Sequence, residues 1–171
     1  MSKNNPLAGK TLYIDYTRCI GCETCEAVCK FLYDRPSIVM AHTREGQVAP
    51  IYCMHCEQAY CMKVCPRGAI MRDRDSAVIL NPMLCRGCET RNCILACPYA
   101  AFFESDKGVG TRKCDLCARR RDVGMEPACA EMCPCGAISY VDRSELDSLQ
   151  TEASRAARDR VLASLRGKTT G

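Results

Sequence analysis

Sixteen thiols recurring at fixed short intervals constrain this chain more than any other feature. Cys53, Cys56, Cys61 and Cys65 are spaced C-x2-C-x4-C-x3-C-P, and variants of that pattern occur four times. The first group is Cys19, Cys22, Cys25 and Cys29, spaced C-x2-C-x2-C-x3-C. The third, Cys85, Cys88, Cys93 and Cys97, repeats the second residue for residue. In the fourth, the insertion ARRRDVGMEPA separates Cys114 and Cys117 from Cys129 and Cys133. Of 17 cysteines only Cys135 is left over, in the slot that Arg67 fills in the second group. A two-residue gap lets a turn aim successive thiolates into one hollow, where its own N–H groups can donate to sulfur.

Ordinary core material is scarce beside these thiols. The chain of 171 residues has 3 Phe, 7 Tyr and no Trp, and its 47% hydrophobic fraction counts every cysteine. Disulfides or inorganic centres must therefore supply part of the cohesion. An odd cysteine number in tight two- and three-residue spacings fits a ligand array better than a disulfide scaffold. Zinc also takes four thiolates, but its modules usually use two separated C-x2-C pairs. Here the quartets close with C-x3-C, three of the four run directly into proline, and they repeat in register. The pattern points to four tetrathiolate iron-sulfur centres, and so to electron transfer.

The formal charge of +4 fits that reading. A [4Fe-4S] core held by four thiolates carries about −2, so four would bring the holo-protein to roughly −4. The positive excess then offsets cluster charge and gives no case for nucleic acid binding. The segment MSKNNPLAGK has no apolar export core and no twin arginine, and no stretch approaches the length of a membrane span. The expectation is a cytoplasmic protein.

Between the groups the sequence predicts short hairpins. Thr11–Tyr16 is a strand leading into the first group. Ser37–Met40 and Gln47–Tyr52 flank the turn Arg44-Glu45-Gly46, with Pro50 marking the second as irregular or an edge. Ile70-Met71 and Ala77–Leu80 pair across Asp73–Asp75, and 102–113 turns at Asp106-Lys107-Gly108. Cys133-Pro134-Cys135-Gly136-Ala137-Ile138 matches Cys65-Pro66-Arg67-Gly68-Ala69-Ile70 in register, the mark of an internal repeat. Beyond 144 the cysteines stop. Asp142 with Glu145 reads as a capping box. Leu146, Leu149, Ala153, Ala157, Val161 and Leu165 form a stripe predicting one amphipathic helix over 144–166, ended by Gly167. It either docks on the cluster core or a partner, or lies as a surface tail.

The quartets, their prolines, Cys53-Met54-His55-Cys56 and the insertion in the fourth group together resemble a known family. This is the four-cluster, ferredoxin-like electron-transfer subunits of molybdenum or tungsten oxidoreductases, including those of formate dehydrogenase, dimethyl sulfoxide reductase and aldehyde oxidoreductase, and of formate-linked hydrogenases. The resemblance covers about residues 11–141. One departure is Lys30, where a proline is expected after Cys29. The resemblance implies an α+β fold, a duplicated two-[4Fe-4S] ferredoxin with short hairpins and helical turns, plus a C-terminal helix. Residues 1–42 and 111–143 would form an outer module, 43–110 an inserted one, and 144–171 the helix and tail.

The resemblance also implies a nested ligand assignment for four [4Fe-4S] clusters. One would take Cys19, Cys22, Cys25 and Cys133, and its neighbour Cys114, Cys117, Cys129 and Cys29. A third would take Cys53, Cys56, Cys61 and Cys97, and the fourth Cys85, Cys88, Cys93 and Cys65. The implied role is non-catalytic: carrying electrons between a large molybdenum or tungsten catalytic subunit that oxidises aldehyde or formate and another redox subunit, a flavin-containing one among the options, or an acceptor. A hydrogenase or carbon monoxide dehydrogenase complex, or a free multicluster ferredoxin, is the alternative. The C-terminal helix could also mediate self-association.

No catalytic constellation accompanies the thiols. His55 reads as a packed residue beside a cluster, His42 as a surface residue, and Cys135 as a spare thiol. Arg119, Arg120 and Arg121 read as either a patch for an acidic partner or a solvated loop. Met62, Met83, Ile94 and Leu95 read as shields against water.

Overall fold

In the computed structural model, which describes residues 9–43, 46, 48–104 and 110–165, two-stranded sheets alternate with helices, most of them a single turn long. The strands are β1 (Lys10–Ile14), β2 (Ile38–His42), β3 (Val48–Tyr52), β4 (Ile70–Arg72), β5 (Val78–Leu80), β6 (Phe103–Glu104), β7 (Thr111–Arg112) and β8 (Ile138–Asp142). They pair antiparallel in four two-stranded sheets: β2 with β3, β4 with β5, β6 with β7, and β1 with β8. The last pairing runs from Lys10 opposite Asp142 to Ile14 opposite Ile138, and so brings the two flanks of the cysteine region together. Mixed short helices and small sheets agree with the α+β expectation. Pro50 lies in β3 opposite Met40, where a two-stranded sheet makes every strand an edge and a missing N–H is tolerated. The turns expected at Arg44-Glu45 and at Asp106-Lys107-Gly108 lie outside the described residues.

Helices α1 (Thr24–Tyr33), α2 (Tyr60–Lys63), α3 (Pro82–Cys85), α4 (Asn92–Leu95), α5 (Ala118–Arg121) and α6 (Ala128–Glu131) each carry or adjoin cysteines. Their apolar packing falls into separate clusters. Leu12, Ile14, Ile38, Tyr52, Leu116 and Ile138 form the main one around Cys25, Cys29 and Cys129. Ala59, Ile70, Val78 and Phe102 form a second around Cys93.

The single helix expected over 144–166 is corrected. Its capping box is present, with the Asp142 N–H donating to Glu145. After a short 3-10 turn, α7 (Leu146–Leu149) ends at Gln150, which is extended, and α8 (Glu152–Leu165) starts afresh. The Thr151 hydroxyl accepts from the Ser154 N–H at 3.1 Å, an N-cap that the apolar stripe had hidden. Val161 and Leu162 of α8 pack on Ala49 and Ile51 of β3. Ser154, buried and outside the stripe, accepts from the Tyr16 N–H at 3.2 Å and donates to the Ile14 carbonyl at 3.4 Å. Gly167 lies outside the described residues.

Candidate iron-sulfur sites

Each group opens on the same backbone device. The residue two places after the first cysteine has a positive φ in all four: Gly21 (70°), His55 (46°), Gly87 (71°) and Leu116 (57°). A left-handed residue there reverses the chain and turns successive N–H groups inward, a nest that favours anions and recurs at iron-sulfur sites. Glycine takes that φ freely, whereas His55 and Leu116 do so with a Cβ in place. A second device follows the last cysteine of three groups. Gly68, Ala100 and Gly136, three residues on, have φ of 58°, 50° and 59°, and the next residue is a buried alanine: Ala69, Ala101 and Ala137.

Four sets of cysteines come together, and each mixes two groups. Cys29 joins Cys114, Cys117 and Cys129 around a cavity of about 230 Å³. Cys97 joins Cys53, Cys56 and Cys61 around one of about 170 Å³. Cys65 stands with Cys85, Cys88 and Cys93 around a tighter hollow. Cys133 and Cys19 pack against the apolar cluster that contains Cys25 of the first group. The two larger cavities far exceed the roughly 10–15 Å³ that one water needs. Among the described residues, no three His, Cys, Asp or Glu side chains converge as tightly as a single ion requires.

The electrostatics suit a cationic guest. All seventeen cysteines are free thiols. Burial pushes Cys25 up to about 12 and Cys61 up to about 11, and it raises Cys114 and Cys129 as well. Repulsion from neighbouring cysteines adds to each rise. Thiolates gathered there need iron to hold them ionised. Backbone donors already aim at sulfur: Ser37 N–H to Cys29 at 3.2 Å, Ala69 N–H to Cys65 at 3.3 Å and Leu116 N–H to Cys114 at 3.4 Å. Cys88 goes the other way, lowered by the Arg91 N–H and then by the Thr90 hydroxyl. The donor set, nests and cavities therefore fit [4Fe-4S] clusters.

Several surrounding residues depart from their expected places. Met83 and Leu95 are 74% and 87% exposed, whereas Met62 and Ile94 pack on the second apolar cluster. Arg121 is buried rather than solvated. It donates to Asp75 and, at 2.5 Å, to Asp73, and its Nε reaches the Leu116 carbonyl at 2.8 Å. Arg120 pairs with Glu131 of the same molecule, and Arg119 stays exposed. His42 is exposed, 3.4 Å from Glu23. Cys135 lies with its Sγ 3.6 Å from that of Cys133.

His55 is fully buried, and its Nδ1 accepts from the Val78 N–H at 3.0 Å. Burial, then the charges of Lys113, Arg143, Arg121 and Arg72, hold it well below the usual histidine range, so it is neutral with its proton on Nε2. Sequence reasoning missed Lys113 altogether. Its Nζ donates to the Val78 carbonyl and, at 2.7 Å, to that of Cys114.

Thiol quartets on short turns, opened by anion-binding nests, define a ferredoxin-like protein that binds 4Fe-4S clusters. Comparison with known proteins agrees. A family described as "4Fe-4S dicluster domain" matches residues 44–143, and one described as "4Fe-4S binding domain" matches 12–31. The protein belongs to the 4Fe-4S dicluster family. The thiosulfate reductase electron transfer subunit PhsB of Salmonella typhi is 35% identical over 148 residues, covering 77% of this chain and 76% of that one. The electron transport protein HydN of Escherichia coli (strain K12) is 34% identical over 165 residues, covering 82% and 93%. An anaerobic dimethyl sulfoxide reductase subunit of the same strain is 36% identical over 153 residues, covering 78% and 74%. A component of the BamBC active-site complex of benzoyl coenzyme A reductase is 24% identical with a TM-score of 0.43, covering 89% and 96%, too loose a likeness to place a residue. Among the described residues, no helix is long and apolar enough to cross a membrane.

Proposed function

We propose that this chain is a non-catalytic electron-transfer subunit holding four [4Fe-4S] clusters. Its ligand sets would be Cys19, Cys22, Cys25 and Cys133; Cys29, Cys114, Cys117 and Cys129; Cys53, Cys56, Cys61 and Cys97; and Cys65, Cys85, Cys88 and Cys93. The observation that carries this reading is the left-handed turn after the first cysteine of all four groups, beside sulfurs that gather in four mixed sets. The repeated turns also support a duplicated two-cluster fold, with 1–42 and 111–143 as the outer module and 43–110 inserted.

When bound, each cluster accepts and returns one electron. The protein's residues fix the ligand positions, exclude water through the buried alanines and aliphatics, and set potential through N–H donors to sulfur. Chemistry on a substrate would belong to a large molybdenum or tungsten subunit, with aldehyde or formate as substrate by family resemblance. The names of the relatives add thiosulfate and dimethyl sulfoxide reductases as neighbouring chemistries. A second redox subunit or acceptor would complete the path, and the assembly would be cytoplasmic. The near full-length match to an electron transport protein, at 93% of its length, favours a freestanding carrier as the second reading.

Two measurements on the natively purified protein test this. Iron should approach about sixteen per chain, since each of four clusters holds four; about eight in fully loaded protein would sink the four-cluster reading. Co-purification with a molybdenum- or tungsten-containing subunit is expected, and a stable monomer exchanging electrons with several enzymes would favour the carrier.

A further inference from the structure

Lys113 is a buried cation for which the four-cluster reading gives no role. It is 6% exposed, and among the described residues no carboxylate pairs with it. Its ammonium donates to the carbonyls of Val78 and Cys114, one in the 43–110 segment and one in the fourth cysteine group. Burying a positive charge is costly unless negative charge lies close by. Two thiol sets flank it. Lys113 lines the cavity framed by Cys29, Cys114, Cys117 and Cys129. Val78, whose carbonyl it holds, lines the cavity framed by Cys53, Cys56, Cys61 and Cys97.

We propose that Lys113 is the tuning charge at the crossing between the two modules, raising the reduction potential of both flanking clusters. This rests on the four-cluster reading above. One-electron reduction adds a single negative charge to a cluster, with no bond made or broken and no proton taken up. A fixed cation beside it therefore stabilises the reduced form and raises the potential. Acting on both flanking sites, it would keep them close in potential where electrons pass from one module to the other. Lys113 is a positioning residue in this scheme: it ligates nothing and acts through the field at the ligands.

The test is an EPR-monitored titration with dithionite as reductant, on holoprotein whose iron content is measured first. That iron count decides the four-cluster reading by itself; the potentials decide the role of Lys113. In Lys113→Met, two of the four midpoint potentials should fall by about tenfold or more in reduced-to-oxidised ratio, roughly 59 mV for one electron. The other two should stay put, and Lys113→Arg should leave all four in place. Any other pattern, including no shift or an equal shift of all four, overturns the proposal. If Lys113→Met does not retain iron, Lys113→Gln, which can still donate to both carbonyls, is read by the same criteria. Should both neutral variants lose iron while Lys113→Arg keeps it, the charge serves to retain the clusters and the tuning role is overturned. Loss of iron in Lys113→Arg as well would make Lys113 a strut between carbonyls and end it.

Discussion

Cys65 and Ala100 show how differently single residues in the repeated turns can matter. Cys65 belongs by sequence to the second group, yet it stands with Cys85, Cys88 and Cys93. Cys65→Ala should therefore alter the same cluster signal as Cys88→Ala and leave the one altered by Cys53→Ala intact. Spectra in which Cys65→Ala instead matches Cys53→Ala would refute the mixed ligand sets. Ala100 occupies the left-handed position that Gly68 and Gly136 hold in the equivalent turns. A Cβ there costs roughly 1–2 kcal/mol, and the freedom that glycine adds to the unfolded state returns about 0.4–1 of it. Ala100→Gly is thus expected to stabilise by about 0.5–1 kcal/mol, visible as a higher urea midpoint. The cysteine quartets were legible because spacing is a local signal. The left-handed turns were only half legible, because histidine and leucine at positions 55 and 116 carry no mark of a positive φ.

The hairpins were readable as elements because each pairs segments close in sequence. Ile70 faces Leu80 and Arg72 faces Val78, with the Asp73 side chain accepting from the Asp75 and Ala77 N–H groups at 2.9 Å in the turn between. The C-terminal region was readable only in part. Apolar periodicity runs across Gln150-Thr151, but the helix does not, since the Thr151 cap starts a new one. Periodicity also passed over Leu162 and Ser154, two of the residues that anchor α8. Leu162→Asp places a carboxylate against Ala49 and Ile51 and forfeits about 1.5–3 kcal/mol of burial. The expected outcome is an α8 cut readily by protease while iron content stays at the wild-type level. Loss of iron along with the helix would show that α8 holds the cluster region together, rather than merely resting on β3.

At the scale of the whole molecule, long-range polar ties join the fourth cysteine group to the β4–β5 hairpin: Lys113 to Val78, Arg121 to Asp73 and Asp75, and Asp122 to Arg74. No sequence pattern announces them. Arg121 lies 46 residues from Asp75 and looks, in its arginine run, like a solvated surface residue. The guanidinium is 1% exposed, and the two carboxylates are 4% and 16% exposed, so little solvent screening intervenes. A buried pair of this kind adds little net stability over apolar replacements, but breaking it on one side strands a charge. Arg121→Met should therefore cost about 3 kcal/mol, the lower end of the range for breaking a buried pair, because Arg74 still lies 3.9 Å from the buried Asp75 carboxylate. Arg121→Met with Asp75→Asn should recover most of that loss. The urea midpoint and the rate of iron release to a chelator would follow both effects in holoprotein. Equal losses in the single and double variants would mean that shape at position 121, not the charge pair, ties the hairpin to the fourth group.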